Sequence, residues 1–149
     1  MSVERRLFLI SLTLKGCGAM NRTNSDKVSI IDQEHSEIDR LIQLIGASVN
    51  NADAKAAAIH IVEGLIDLSI AHTANEEELM ILNKVPNFQE HSAHHGAILT
   101  EMTKIQADIE RSEDIDWVAF ATLISNIYKA HRIAFDEPFL AYIQSNGRC

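Results

Sequence analysis

The chain has 149 residues, 46% hydrophobic and 23% charged, with a net charge of −8, a length that makes one domain able to bury a core without a disulfide staple. An acidic chain with no Lys/Arg cluster argues against a nucleic-acid partner and against a polybasic membrane patch. Six Gly, two Pro and few alternating β-branched runs point away from an all-β design and towards an all-α one.

Arg5 and Arg6 precede the apolar run Leu7 to Leu14, followed by Lys15-Gly16-Cys17, the outline of a short export leader. The run is short, and Lys15 is the wrong residue type just before a lipid-accepting Cys. The expectation is an N-terminal extension over residues 1–24, with Met20 as an alternative start, ahead of a domain over 25–149. Cys17 and Cys149 form no framework or metal-type spacing, which fits a reducing, cytoplasmic setting; the alternative is export if residues 1–19 are a leader. No later stretch approaches the roughly 18 to 20 apolar residues of a membrane span.

Four segments with helical periodicity come next. The first is expected from Ser25 or Asp26 to Val49, with Ile31, His35, Ile38, Ile42, Ile45 and Val49 on one stripe. The second comes after Asn50-Asn51-Ala52 with Asp53 as its expected N-cap, and its stripe reads Ile61, Leu65, Leu68, His72, Glu76, Leu79. After Val85-Pro86, Asn87 and Glu90 have the spacing of a capping box, and the third stripe is Phe88, His91, His95, Ile98, Met102, Ile105, Ile109. The fourth starts near Glu113-Asp114, repeats Trp117, Phe120, Ile124, Ile127, His131, Ala134, and is expected to end or kink by Pro138.

Short connections make sequential helices antiparallel neighbours, so the expected fold is an up-down-up-down four-helix bundle. In an antiparallel hairpin two residues share a level when their midpoint falls in the turn. His35 and His72 centre between Asp53 and Ala54; His72/Glu76 and His91/His95 centre on Asn83 and Lys84; His91/His95 and His131/Asp136 centre near Glu113. All three midpoints fall in or beside an expected turn, which puts the polar interruptions of four helices in one layer of the core.

A single histidine on an apolar seam is most often a structural residue bonded to a backbone carbonyl. Five imidazoles and two carboxylates in one layer are too costly to bury without partners, and a dinuclear metal centre resolves the cost. Nitrogen and carboxylate donors without thiolate suit iron, with manganese or zinc as alternatives. The other four-helix di-metal design uses Glu-x-x-His pairs, and none occurs here; Asp32-Gln-Glu-His35 comes nearest.

The order His35, His72-x3-Glu76, His91-x3-His95, His131-x4-Asp136, with Ile31-Asp32-Gln-Glu ahead of His35 and Glu76-Glu-Glu-Leu-Met80 and Pro86 further on, resembles the hemerythrin family, single-domain bacterial hemerythrins in particular, over about Ile30 to Ile143. The resemblance implies two non-haem iron ions under an oxo or hydroxo bridge. His91, His95 and His131 would bind one, His35 and His72 the other, and Glu76 and Asp136 both. It implies reversible O2 binding at an open iron position, in a carrier, store or sensor rather than an enzyme. The alternative is a di-iron enzyme or a protein handling iron, NO or peroxide, and the expected partner is O2 or another small diatomic or anionic ligand.

Two points of spacing stay open. His94 shares the face of His91 as His95 does, and the choice of His95 rests on the seam and on the family pattern. Asp136 lies five residues after His131, about 140° around an ideal α-helix, so it needs a locally opened turn or a bend. His60, Glu77, Glu78 and the acidic run Glu110 to Asp116 are read as exposed polar residues. The pocket around the open position is expected to include Ile38, Thr73, Ile127 and Tyr128. Where the family usually has Phe after the first helix-two His, Trp-Leu before the last His and an aliphatic residue after it, this chain has Thr73, Ile127-Tyr128 and Arg132, which makes for a wetter pocket. Tyr128 either points its hydroxyl at the open position or turns it to the surface.

Overall fold

The structure is a computed structural model that describes residues 16–146, with side chains from 24 onward. The outline of an export leader, and the side chains of Cys17 and Cys149, lie outside the described residues.

The described chain is all-α: α1 (Gly16–Gly46), α2 (Ala52–Leu82), α3 (Phe88–Arg111), α4 (Trp117–His131), a π-helical turn (Arg132–Asp136) and α5 (Glu137–Asn146). Cross-helix bonds fix the directions. Lys27 in the first half of α1 reaches Glu78 near the end of α2 at 2.7 Å. Lys55 at the start of α2 donates to the Glu110 and Ser112 carbonyls at the end of α3 at 3.0 and 2.6 Å. Arg132 after α4 reaches back to Asp39 in α1 at 3.2 Å. Each helix runs against its neighbours, and the four rods close into the antiparallel bundle, α5 continuing the fourth.

Several element ends differ from the sequence expectation. α1 extends back to Gly16 and stops at Gly46, leaving Val49 exposed rather than on the seam. A Cβ on Gly46 would lie 3.1 Å from the Ala121 Cβ, so α1 and α4 come close where a side chain is missing. The cap of α2 is Asn51, not Asp53: its side chain accepts the Ala54 N–H at 2.9 Å. Asn87 caps α3 without a side-chain hydrogen bond, so the expected capping box does not form. α4 starts at Trp117 because Asp116 accepts the Ala119 N–H at 2.9 Å. The connections are tied together by Asn50. It donates to Asp114 and to the Ile115 carbonyl and accepts from the Trp117 indole at 3.0 Å, joining the α1–α2 loop to the α3–α4 loop.

Pro138 neither ends nor breaks the last helix. It sits in the first turn of α5, where its missing N–H costs little, and the turn before it is widened to i→i+5 hydrogen bonding, with the Glu137 N–H on the Arg132 carbonyl. The widening turns the residues after His131 away from the α-helical phase, which is why Ala134 is exposed instead of extending the α4 stripe.

The core divides in two. One apolar cluster, including Ile38, Ile42, Ile45, Val62, Leu65, Met102, Ile109, Trp117 and Ile124, fills the end with the two loops; Ile31, Leu79, Met80, Val85, Phe139 and Ile143 fill the other. Between them lies a polar layer.

Candidate metal centre

That layer is supplied by all four rods. His35 comes from α1, His72 and Glu76 from one face of α2, and His91 and His95 from one face of α3. His131 ends α4 and Asp136 ends the π turn. His72, Glu76, His91, His95, His131 and Asp136 are buried, none more than 4% exposed, and His35 is half-buried. Their donor atoms converge in two sets. Glu76, His91, His95, His131 and Asp136 form one set of five; His35, His72, Glu76 and Asp136 form one of four.

The two carboxylates belong to both sets, and each divides its oxygens between them. Asp136 Oδ1 lies 3.1 Å from His91 Nε2 and 2.9 Å from His131 Nε2, while its Oδ2 lies 3.1 Å from His35 Nε2. Glu76 Oε2 lies 3.1 Å from His95 Nε2, and its Oε1 faces His72 Nε2 at 3.4 Å. The π turn makes the Asp136 half of this possible. Five residues of π-helix return to nearly the starting face, which five α-helical residues would overshoot.

Three Nε2 atoms are aimed inward by bonds on the opposite ring nitrogen. His72 Nδ1 is 3.0 Å from Glu34 Oε2, and His95 Nδ1 is 3.0 Å from Glu77 Oε1, so each ring donates outward and keeps its Nε2 lone pair for the cluster. His131 Nδ1 is 2.8 Å from His94 Nδ1. Burial and then the neighbouring His131 hold His94 below the ordinary imidazole value, so it stays neutral and accepts. The structure therefore separates the two adjacent histidines of α3: His95 joins the cluster and His94 braces it. The bracing contacts of Glu34, Glu77 and His94 have no counterpart in the sequence expectation, and Glu77 is not merely an exposed polar residue. The signal was their place one residue from a candidate ligand, because a metal-binding imidazole needs an acceptor for its second nitrogen. His60 is exposed and pairs with Glu63.

The electrostatics are those of a cation site. Burial alone would raise the Glu76 carboxyl, but hydrogen bonds from His91 and His95 outweigh it and bring it below the usual value. Asp136 is also raised by burial and then carried well below the carboxylate range by His131, His35 and His91. Burial lowers His91, yet Asp136 and Glu76 together bring it up to about 9. Protons thus stand in for positive charge. Glu76 Oε1 and His91 Nδ1 are nonetheless buried without a hydrogen-bond partner, and an orphaned carboxylate oxygen inside a core is costly. Bonds of about 2.1 Å place neighbouring donors on one ion about 3 Å apart, which matches the 2.9 Å, 3.1 Å and 3.2 Å spacings among Asp136, His91 and His131. The donor chemistry and spacing fit a metal site, with two groups of candidate donors.

A cavity of roughly 10 Å³, about the room of one water-sized ligand, touches the layer at His35, His72, His95, His131 and Asp136. Its outer wall is Ser69, Thr73, Ile98, Tyr128 and Arg132. Of the expected pocket residues, Thr73 and Tyr128 line it, while Ile38 and Ile127 pack in the adjoining apolar cluster. Tyr128 takes neither course expected of it. It is buried and its hydroxyl pairs with Ser69. Ser69 gives its own hydrogen to the Leu65 carbonyl at 2.6 Å, so Tyr128 is the donor in that pair. Burial pushes the phenol up to about 12. Thr73 likewise donates to the Ile70 carbonyl at 3.1 Å.

No helix among the described residues is long and apolar enough to cross a membrane. No curated protein and no solved structure matches the chain. Residues 26–133 match the family model of the hemerythrin HHE cation-binding domain. The match takes in every histidine of the layer and Glu76, and stops inside the π turn, so Asp136 takes its place from the geometry. With well over half its length matched, the chain belongs to the hemerythrin family of HHE cation-binding domains.

Proposed function

We propose that residues 25–149 form a di-iron domain that binds O2 reversibly. His91, His95 and His131 would hold one iron, His35 and His72 the other, and Glu76 and Asp136 both. The observation that carries this reading is the inequality of the two sets. One offers five donors and the other four, so the smaller set leaves one more coordination position free, and the cavity borders both, at His35 and His72 of the smaller and at His95 and His131 of the larger. The smaller set is therefore the one with room for a ligand. When bound, an iron pair would supply the coordination position and the electrons that reversible O2 binding needs.

The chain's own residues support binding over turnover. The cavity is small and its hydroxyls are committed: Thr73 to Ile70, Tyr128 to Ser69, Ser69 to Leu65. A phenol held near 12 keeps its proton at neutral pH, so Tyr128 is a poor source of a proton or an electron for a bound ligand. Anaerobic loading should give two irons per chain, and admitting O2 should develop absorption bands that evacuation removes. Steady consumption of hydrogen peroxide or NO, abolished by Tyr128→Phe, would favour the enzymatic alternative instead.

A further inference from the structure

Arg132 occupies a position the proposed O2 chemistry does not use. Its guanidinium bonds Asp39 at 3.2 and 3.3 Å, longer than the usual 2.7 to 2.9 Å of a charge-assisted pair, and Asp39 is half exposed. Its Nε is buried with no hydrogen-bond partner. Arg132 lines the small cavity beside the histidine layer. It also lines a surface groove of about 340 Å³, with Asp39, Gln43, Ser125 and Lys129 among its other walls. Arg132 thus borders both the cavity and the groove, with one buried donor uncommitted and an exposed carboxylate weakly held.

We propose that Arg132 is a cationic gate at this site, speeding the entry of small monoanions alongside the neutral ligand O2. The inference rests on the di-iron reading above and adds a second class of ligand that the site admits. Three features support it. The guanidinium keeps its charge at every working pH. The chain's net charge is −8, whereas the groove carries two cations, Arg132 and Lys129, against the one carboxylate of Asp39, a local excess that draws anions in. An anion arriving there can replace Asp39 on the guanidinium, since an exposed pair of this kind contributes little, and then meet the buried, unpartnered Nε donor of the same side chain.

The test uses azide as the probe, mixed rapidly with the iron-loaded full chain after oxidation by ferricyanide, and O2 as the neutral comparator, mixed with the same chain kept reduced, both monitored by absorbance. In the wild type the azide association rate should fall as ionic strength rises, and the O2 rate should not. In Arg132→Leu the ratio of azide to O2 rates should fall by about tenfold or more, and the salt dependence of the azide rate should flatten. Asp39→Asn keeps the guanidinium and releases it, so azide entry should quicken; this variant carries the test if Arg132→Leu does not fold. A second measurement needs no iron chemistry. In zinc-loaded protein the Arg132 Nε–H resonance should shift on adding azide. Full metal content with equal azide rates in wild type, Arg132→Leu and Asp39→Asn, or an unmoved Nε–H resonance, would overturn the gate and leave the di-iron reading standing. Fewer than two metals per chain would remove both.

Discussion

His131 and Asp136 are five residues apart, yet His131 Nε2 and Asp136 Oδ1 stand 2.9 Å from each other because the chain between them is a single π turn. Four α-helical residues and five π-helical residues return to nearly the same face. Deleting the exposed Ala134 should therefore convert the turn to α-helix and keep the carboxylate in the layer, with two metals still bound. Inserting an alanine there should turn Asp136 away and lose a metal. Metal analysis of the two variants after anaerobic loading checks this; equal metal content in both would refute it.

The raised His91 pKa gives metal uptake a definite pH dependence. A ligand nitrogen must be free of its proton, and in the metal-free protein burial is outweighed by Asp136 and Glu76, so His91 holds a proton up to about pH 9. Loading at pH 7 should release protons, and affinity should rise with pH up to about 9. Titration calorimetry in buffers of different ionisation enthalpy measures the release, and none detected would contradict the arrangement. Stability without metal runs the other way on the alkaline side. The stabilisation from His91 is complete below its ordinary value of about 6.5 and is lost as pH rises through about 9. That from Glu76 and Asp136, whose pKa values are lowered, is present above the ordinary carboxylate range and is lost as pH falls below it.

Glu34 and Glu77 fix the rings of His72 and His95 through their Nδ1 atoms. Removing such a partner leaves the ligand in place but frees its orientation and tautomer. Glu34→Ala or Glu77→Ala should weaken metal affinity about 10- to 100-fold while helix content by circular dichroism stays as in the wild type. Competition with a chelator of known affinity reads the change; wild-type affinity in both variants would show that these carboxylates do not set the ligands.

Asn50 joins the two loops at one end of the bundle through bonds to Asp114, Ile115 and Trp117. Asn50→Ala leaves the buried Trp117 N–H without its acceptor, and an unsatisfied buried donor costs about 1 to 3 kcal/mol. Urea unfolding of the metal-free protein should show a loss of that size with an unchanged m-value. A midpoint within error of the wild type would mean that solvent replaces these bonds.

How much of this was legible in the sequence depends on the reach of periodicity. His35, His72, Glu76, His91, His95 and His131 fall on apolar stripes, and midpoint arithmetic brings them to one level because the loops are short. Asp136 was legible only as a problem, since α-helical geometry turns it away and no local signal marks a π turn. Glu34 and Glu77 sit one residue from a candidate ligand, at positions where periodicity reads a solvent-facing polar side chain, while His94 shares the His91 face with His95, so spacing alone does not separate the two. The direction of the Tyr128 hydroxyl depends on Ser69, 59 residues earlier on another helix, and pairing across that separation leaves no trace in either stretch. Val49 and Ala134 show the opposite error, stripes extended past the point where the helix ends or widens.

The central claim is a pair of iron ions held between two unequal sets of donors, with O2 entering on the His35/His72 side. Optical titration of anaerobically iron-loaded protein tests it most directly. The account predicts an almost colourless solution that gains ligand-to-metal absorption on admitting O2, loses it under vacuum, and repeats the cycle. A single irreversible bleach, or no spectral change with two irons bound, would contradict it.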